Sequence, residues 1–273
     1  MKKTSLTILF FINALFIFPQ TAQEYFNQGI DKIDAENYME AINNLSKAIE
    51  RDSVFEYAYF SRGYAFYMIN NYSNAIKNFT QAIELDSKFK SAYYFRGLIK
   101  KEFENYQSAI LDYNKAINMD STFVDAYYER GVAKYFNKDY KDAIQDFDIV
   151  IELDQDYLNA YLDRGIADHA LGNYQSAIYD YNIVIELDPK HVGAYSARGE
   201  ANKKLGNIKG ALKDFSKVIE LDPKYSEAYF DRGMAKYFLG DKEAACKDWE
   251  LAVELGYIEA KTMLKDYCNI QSH

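Results

Sequence analysis

The side chains of this 273-residue chain that could carry out catalysis are few and widely separated. Its three histidines, His169, His191 and His273, lack the spacing of metal ligands. The sequence contains no phosphate-binding glycine loop, no dinucleotide-binding glycine pattern and no nucleophile elbow. Acid–base catalysis by a carboxylate pair needs two carboxylates that burial distinguishes from the others, and nothing in the sequence singles out such a pair. We therefore predict a protein that is not an enzyme and that uses no metal and no cofactor.

Composition and charge exclude further classes of protein. The chain is 49% apolar and 27% charged, as in ordinary soluble globular proteins, which excludes a disordered chain and a protein with many membrane spans. Its formal net charge is −9, and the acidic excess is spread along the chain without a basic stripe. Because a nucleic acid needs such a stripe for its phosphates, we predict no nucleic acid partner.

The N-terminal segment 1–22 is typical of a secretory signal peptide. Lys2 and Lys3 precede an apolar run over residues 6–18, which is shorter than the roughly 20 residues of a membrane-spanning helix. Ala22 provides a small residue for cleavage. We predict export, either to a periplasm or as a secreted protein. The alternative is an uncleaved N-terminus in which residues 6–18 anchor the protein, and this is the one membrane contact that the sequence predicts.

The rest of the chain repeats at a constant interval of thirty-four positions. If the periodic glycine is placed at position 8 of a unit, position 4 is Tyr and position 20 is Ala in all seven units. Position 24 is aromatic in six units and Leu in the first. Such self-similarity indicates a repeat protein, and this pattern resembles the tetratricopeptide repeat family over nearly the whole chain. The glycines are Gly29, Gly63, Gly97, Gly131, Gly165, Gly199 and Gly233.

Each unit is expected to form two helices. Positions 4, 8 and 11 lie on one face of a 3.6-residue helix, and positions 20, 24 and 27 lie on one face of a second. We attribute the constant glycine to close approach of the alanine at position 20. The resemblance implies an all-α, right-handed superhelical solenoid of antiparallel helix pairs. Its units would be 22–55, 56–89, 90–123, 124–157, 158–191, 192–225 and 226–259, followed by a capping helix over 258–268 and a tail over 269–273.

Charged residues recur at position 7, which is Arg in six units, and at position 23, which is Asp in the last five. One interpretation is an arginine ladder that binds anionic ligands. The other is an ion pair between the two helices of each unit. We favour the ion pair, because the first unit lacks both charges together and has Gln28 and Asn44 instead.

The opposite side of each first helix, at positions 2, 5, 6, 9, 12 and 13, is the candidate binding surface. The resemblance implies that this side lines a concave groove that holds an extended peptide or a helix of a partner protein. An alternative for positions 5 and 9 is that they only pack between adjacent first helices. The candidate groove residues are Phe60, Tyr64, Tyr67, Tyr94, Leu98, Tyr128, Glu129, Tyr135, Asp163 and Ile166.

The composition of this surface sets the expected partner. It is rich in tyrosine and phenylalanine, and its acidic residues outnumber its basic ones. Some family members bind C-terminal carboxylates with Lys at position 5 and Asn at position 9, and this sequence has neither. We therefore predict an interaction scaffold whose groove, in units two to five, binds a neutral, aromatic or mildly basic segment. The alternative is a structural subunit of an envelope or secretion assembly, held through its convex face or its edges.

The two cysteines permit one disulfide in an exported protein. Tyr257 stands midway between Cys246 and Cys268 in the sequence, so an antiparallel hairpin of the last two helices would bring the cysteines level. Against this, packed helix axes lie about 8–10 Å apart, whereas the Cα atoms of a disulfide need about 4.4–6.8 Å. Two reduced cysteines in the core are the alternative.

Overall fold

The computed structural model describes residues 20–268, and every regular element within that range is an α-helix. This confirms the all-α prediction. The proposed signal peptide lies outside the described residues except for its last three, and the tail over 269–273 lies outside them entirely. None of the helices between residues 20 and 268 combines the length and the apolarity needed to cross a membrane.

The helices belong to two compact units, which divide after Ser87. The first unit holds α1 (Ala22–Asp34), α2 (Tyr38–Arg51), α3 (Glu56–Met68) and α4 (Tyr72–Leu85). The second unit holds α5 (Lys90–Glu102), α6 (Tyr106–Met119), α7 (Val124–Phe136), α8 (Tyr140–Leu153), α9 (Leu158–Ala170), α10 (Tyr174–Leu187), α11 (Val192–Lys204), α12 (Ile208–Leu221), α13 (Ser226–Phe238), α14 (Lys242–Glu254) and α15 (Ala260–Tyr267). Within each unit, consecutive helices pack as antiparallel pairs.

The turn inside each pair is short and has a fixed conformation. The residue at position 15 has a left-handed backbone in all seven pairs, and it is glycine in the last three, for example Gly172 with φ +83°. The Asn or Asp at position 16 then begins the second helix. The side chains of Asn37, Asn71, Asn207 and Asp241 accept a hydrogen bond from the backbone N–H three residues later.

The constant glycine faces the side chain at position 24 of the second helix, a neighbour that the sequence analysis did not name. The expected approach to the alanine at position 20 is seen at Gly233, where a methyl group would lie 3.2 Å from the backbone oxygen of Ala245. A methyl group on Gly131 would lie 2.7 Å from Cε1 of Phe147, and one on Gly165 would lie 2.7 Å from Cε1 of Tyr181. Both rings are fully buried. The glycine is therefore needed because a large side chain crosses from the second helix to the backbone of the first.

The arginines at position 7 join helices through ion pairs, which confirms the structural interpretation. Arg130 donates to both carboxylate oxygens of Asp146, at 2.9 and 2.6 Å. The same two bonds recur in the other four units that have Asp at position 23. Arg130 also donates to Asn114 of the preceding pair at 2.6 Å, and its guanidinium lies 5.1 Å from the ring centroid of Tyr127. Each such arginine thus fixes the two helices of its pair to each other, and Arg130 also joins its pair to the preceding one.

The last short helix, α15, covers the end of the second unit. Ala260 is fully buried, and Met263 and Leu264 pack against the cluster around Trp249. The structure joins Cys246 of α14 to Cys268, with their Cα atoms 5.9 Å apart. These two Cα atoms are closer than the axes of two packed helices, because Cys268 lies just beyond the end of α15 and is not held at the helix–helix distance.

Candidate functional site

A pocket of about 530 Å³ opens on the first-helix side of the second unit. Helices α5, α7 and α9 supply most of its lining, through positions 5, 6, 9, 12 and 13 of their repeats. Five of the ten predicted groove residues line it together. The full lining is Lys101, Tyr128, Glu129, Val132, Tyr135, Phe136, Phe147, Asp163 and Ile166.

The polar centre of the pocket is a hydrogen bond between neighbouring first helices. The hydroxyl of Tyr128 on α7 donates to Oδ2 of Asp163 on α9 at 2.7 Å. Burial raises the pKa of the Asp163 carboxyl, and the hydrogen bond from Tyr128 acts against this rise. Burial, together with the nearby Asp163 charge, raises the pKa of Tyr128, so the phenol keeps its proton at neutral pH. Tyr128 is therefore a fixed donor to Asp163.

A second polar pair lies at the rim. Lys101 on α5 forms an ion pair with Glu129 on α7, and both side chains are about four-fifths buried. Together with Asp163, these two residues are the charged groups that line the pocket. The lining therefore holds two carboxylates and one ammonium group, and carries a net negative charge at neutral pH.

Aromatic rings form the walls. The ring of Tyr128 lies 5.0 Å from that of Tyr157 and 6.0 Å from that of Phe147. Tyr135 contacts Phe136 at 5.5 Å and Tyr140 at 5.3 Å. Burial and nearby carboxylates raise the pKa of Tyr157 to about 12. Held by these neighbours, Tyr128 and Tyr135 present large surfaces with little rotational freedom to lose on binding.

The other predicted groove residues lie elsewhere. Tyr94 and Leu98 pack against the cluster around Tyr113, and the Tyr94 ring lies 5.0 Å from Phe123. Tyr94 and Leu98 therefore pack between neighbouring helices, as the alternative for positions 5 and 9 predicts, although both keep part of their surface exposed. Phe60, Tyr64 and Tyr67 lie on α3 of the first unit and are each partly buried.

A smaller cavity of about 220 Å³ shares Tyr135 and Ile166 with the pocket and adds His169 and Glu200 to its lining. The sequence predicts an ordinary solvated histidine at 169. Instead its Nε2 is buried and has no hydrogen-bond partner among residues 20–268, and its ring packs on Tyr174 at 5.0 Å. Burial lowers the pKa of His169 and keeps it neutral.

Sequence reasoning overlooked the aromatic residue that directly precedes most of the first helices. Tyr157 supports Tyr128 in this way, and Phe123 supports Tyr94. Position 34 is Phe or Tyr in five of the seven units, so the same period that identified the glycines would have revealed it. These residues set the orientation of position 5 and hence the shape of the pocket wall.

Family models match most of the described chain. The model described as TPR repeat matches residues 103–138 and 165–206. Models described as tetratricopeptide repeat match residues 56–89, 124–157, 192–225 and 226–255. The chain belongs to the tetratricopeptide repeat family. No curated protein matches it significantly.

Solved structures of tetratricopeptide repeat proteins share the fold. A C-terminal part of a repeat protein from Cytophaga hutchinsonii is 22% identical, with TM-score 0.73, over 85% of this chain and 95% of that one. A repeat protein from Parabacteroides merdae is 23% identical, with TM-score 0.65, over 90% of this chain and 98% of that one. YrrB, described as a TPR protein with an unusual peptide-binding site, is 22% identical, with TM-score 0.60, over 68% of this chain and 97% of that one.

Proposed function

We propose that this tetratricopeptide repeat protein is a non-enzymatic scaffold that binds a segment of a partner protein on the first-helix side of its second unit. The observation that carries the proposal is the pocket between α5, α7 and α9. Its walls are tyrosine and phenylalanine, and its centre is a partly buried carboxylate held by a tyrosine hydroxyl. Large aromatic surfaces with polar tips are typical of protein-binding sites.

The alternative surface for binding is chemically different. The arginines at position 7, which could have formed an anion-binding ladder, are used in ion pairs with Asp146 and its equivalents. On the second-helix side Leu111 is exposed, and Tyr179 borders a pocket of about 440 Å³. The charged groups of that pocket include Arg164 and Asp180, which are already paired with each other. These features favour the first-helix side over the second-helix side.

Two further points support binding of a peptide segment. Repeat proteins of this kind offer an extended surface built from equivalent helices, which suits an elongated partner. YrrB, which shares the fold, is described as having a peptide-binding site. We also propose that the protein acts after export, in a periplasm or outside the cell, because residues 1–22 are typical of a secretory signal peptide.

Alanine substitutions at Tyr128 and Tyr135, which line the pocket, test the proposal. The double variant of the full chain should keep its helical circular dichroism, since neither side chain is fully buried, and should lose capture of the partner from the cell envelope of the source organism. Mass spectrometry of the captured proteins identifies the partner.

The matched control is Tyr179→Ala. Tyr179 lies on second helix α10 and is 64% exposed, so its truncation removes the same type of side chain from the other side. Capture should be unchanged in this variant. Undiminished capture by the double variant, or loss of capture by Tyr179→Ala alone, would contradict the proposal and favour an assembly held through the second-helix surface.

A further inference from the structure

Acidic side chains at position 6 of three first helices provide an internal comparison. They are Glu129, Asp163 and Asp231. The partner that could neutralise each of them stands at position 12 of the unit before it. In two of the three cases that residue is a lysine. Lys101 forms an ion pair with Glu129, and Lys203 forms one with Asp231 at 2.8 Å.

Asp163 is the exception. The equivalent residue at position 12 of the unit before it is Tyr135, which has no charge to offer. Within residues 20–268, no lysine or arginine forms an ion pair with Asp163, and its one hydrogen-bond donor is the Tyr128 hydroxyl. The repeat thus places a carboxylate where two sister units place a carboxylate–ammonium pair.

The missing cation has a space to occupy. Asp163, Tyr128 and Tyr135 all line the pocket of about 530 Å³, together with the pair of Lys101 and Glu129. Beside Asp231, by contrast, the cation is supplied by Lys203, which also donates to Glu200 at 2.6 Å. A carboxylate that is mostly removed from water is destabilised without a counter-ion, and burial raises the pKa of Asp163 accordingly.

We propose that the pocket between α7 and α9 binds a lysine side chain of the partner segment, whose ammonium group pairs with Asp163. The incoming lysine takes the place that Lys101 and Lys203 hold in the sister units. This inference rests on the proposed function and specifies the residue that the partner must supply. The tyrosine walls pack along the aliphatic stem and attract the cation.

The charges around the pocket favour this occupant over a carboxylate. Glu129 is already neutralised by Lys101, so the charge that remains is that of Asp163. An acidic side chain would face that charge at short range, and a neutral one would leave the partly buried carboxylate without an ion-pair partner. A long side chain with a positive end satisfies both parts of the pocket, because its stem packs on the tyrosine walls and its charge pairs with Asp163.

Selection of displayed random peptides on the full chain provides the probe. Peptides selected by the wild-type protein should be enriched in lysine at one position relative to the starting library. A selected peptide in which norleucine replaces that lysine should bind at least about tenfold more weakly, because a charge-assisted hydrogen bond is lost while the aliphatic stem remains. Arginine at the same position should bind more weakly than lysine, because the sister units accommodate an ammonium group.

Two variants locate the contact. Asp163→Asn should weaken the lysine peptide by about tenfold or more and the norleucine peptide hardly at all. Tyr135→Lys gives this unit the lysine of its sister units, so it should fill the pocket from within and block the lysine peptide. The matched control is Asp142→Asn on α8, an exposed position that removes the same unit of charge. It should leave the affinity unchanged.

The outcomes separate this inference from the proposed function. If selected peptides lose binding with Tyr128→Ala but tolerate norleucine and Asp163→Asn, the groove binds a partner and the lysine pocket is wrong. If they tolerate Tyr128→Ala as well, or if no peptide is selected, both are wrong. Carboxyl NMR of the Tyr135→Lys variant gives a check without any peptide. The pKa of Asp163 should fall when the lysine pairs with it, and an unchanged pKa would overturn the inference.

Discussion

Asp163 shows how a single residue acquires a role from its neighbours. Sequence position placed it on the predicted binding surface, and that much follows from the constant repeat period. Its special character depends on burial, on the hydroxyl of Tyr128 at 2.7 Å and on the absence of a pairing lysine among the described residues. No helical pattern encodes burial of one carboxylate among many, because that depends on the rotamers of side chains from two different units.

The raised pKa of Asp163 predicts that the residue reduces the stability of the free protein at neutral pH. The folded state holds this proton more tightly than the unfolded state, so stability falls as pH rises from the ordinary aspartate pKa, about 4, through the folded pKa. Asp163→Asn should therefore raise the free energy of unfolding at pH 7 and leave it unchanged at about pH 3, below both pKa values. Urea unfolding at the two pH values measures the difference. Equal effects at both would contradict it.

The ion pairs at position 7 predict the opposite behaviour for Asp146. Asp146 is 1% exposed and pairs with both Arg130 and Lys134, so Asp146→Ala leaves these two cations without their shared carboxylate. We expect a loss of about 3 kcal/mol in the free energy of unfolding, measured by urea denaturation. Asp146→Asn should cost less, because Asn78 already fills this position and accepts from Arg62 at 2.8 Å. A loss below about 0.5 kcal/mol for Asp146→Ala, as at an ordinary surface site, would contradict this role.

At the scale of the helix, the sequence predicted the pairs, their turns and the face that each helix buries. For the glycine at position 8 the sequence missed the tightest neighbour, because period and face alone do not say which side chain of the second helix reaches the first. The side chain at position 24 makes that contact, and at Gly233 the backbone oxygen of the alanine at position 20 is also close. The aromatic residue at position 34 was overlooked because it lies outside both helical faces.

The glycine contact gives a prediction for Gly131→Ala. The added methyl group would lie 2.7 Å from Phe147 Cε1, so the ring must move within a closed core. Overpacking costs about 1–3 kcal/mol, and the better helix propensity of alanine offsets at most about 1 kcal/mol, so we expect a net loss of about 1 kcal/mol in the free energy of unfolding. In a Phe147→Ala background, where no atom beyond Cβ remains to meet the new methyl group, the same change should cost much less. Leucine would not suffice, because a methyl group on Gly29 would lie 2.6 Å from Leu45. An identical cost in both backgrounds would show that the ring is not the cause.

The disulfide predicts the behaviour of the last helix. The structure joins Cys246 to Cys268, so a thiol-reactive label should modify the native protein only after reduction and should then modify both residues. Reduction should cost about 3 kcal/mol and speed hydrogen exchange in α15 while leaving α8 unchanged. Labelling without reductant would indicate the alternative of two reduced cysteines.

At the scale of the molecule, the constant repeat period was sufficient to predict helix pairs throughout the described chain and to identify the family. The binding site required more. Five of ten predicted groove residues meet in one pocket, while Tyr94 and Leu98 pack into the helix layer. Equal repeats thus yield unequal sites, because substitutions at positions 6 and 12 decide which of them closes with an ion pair and which stays open.

The central claim is that the first-helix side of the second unit receives the partner. The most direct measurement is hydrogen exchange across the full chain, with and without a peptide selected on the wild-type protein. Binding between α7 and α9 predicts slower exchange in those two helices, and no change in α10 and α12, which supply no residue to the pocket. Protection confined to α10 and α12 would contradict the account.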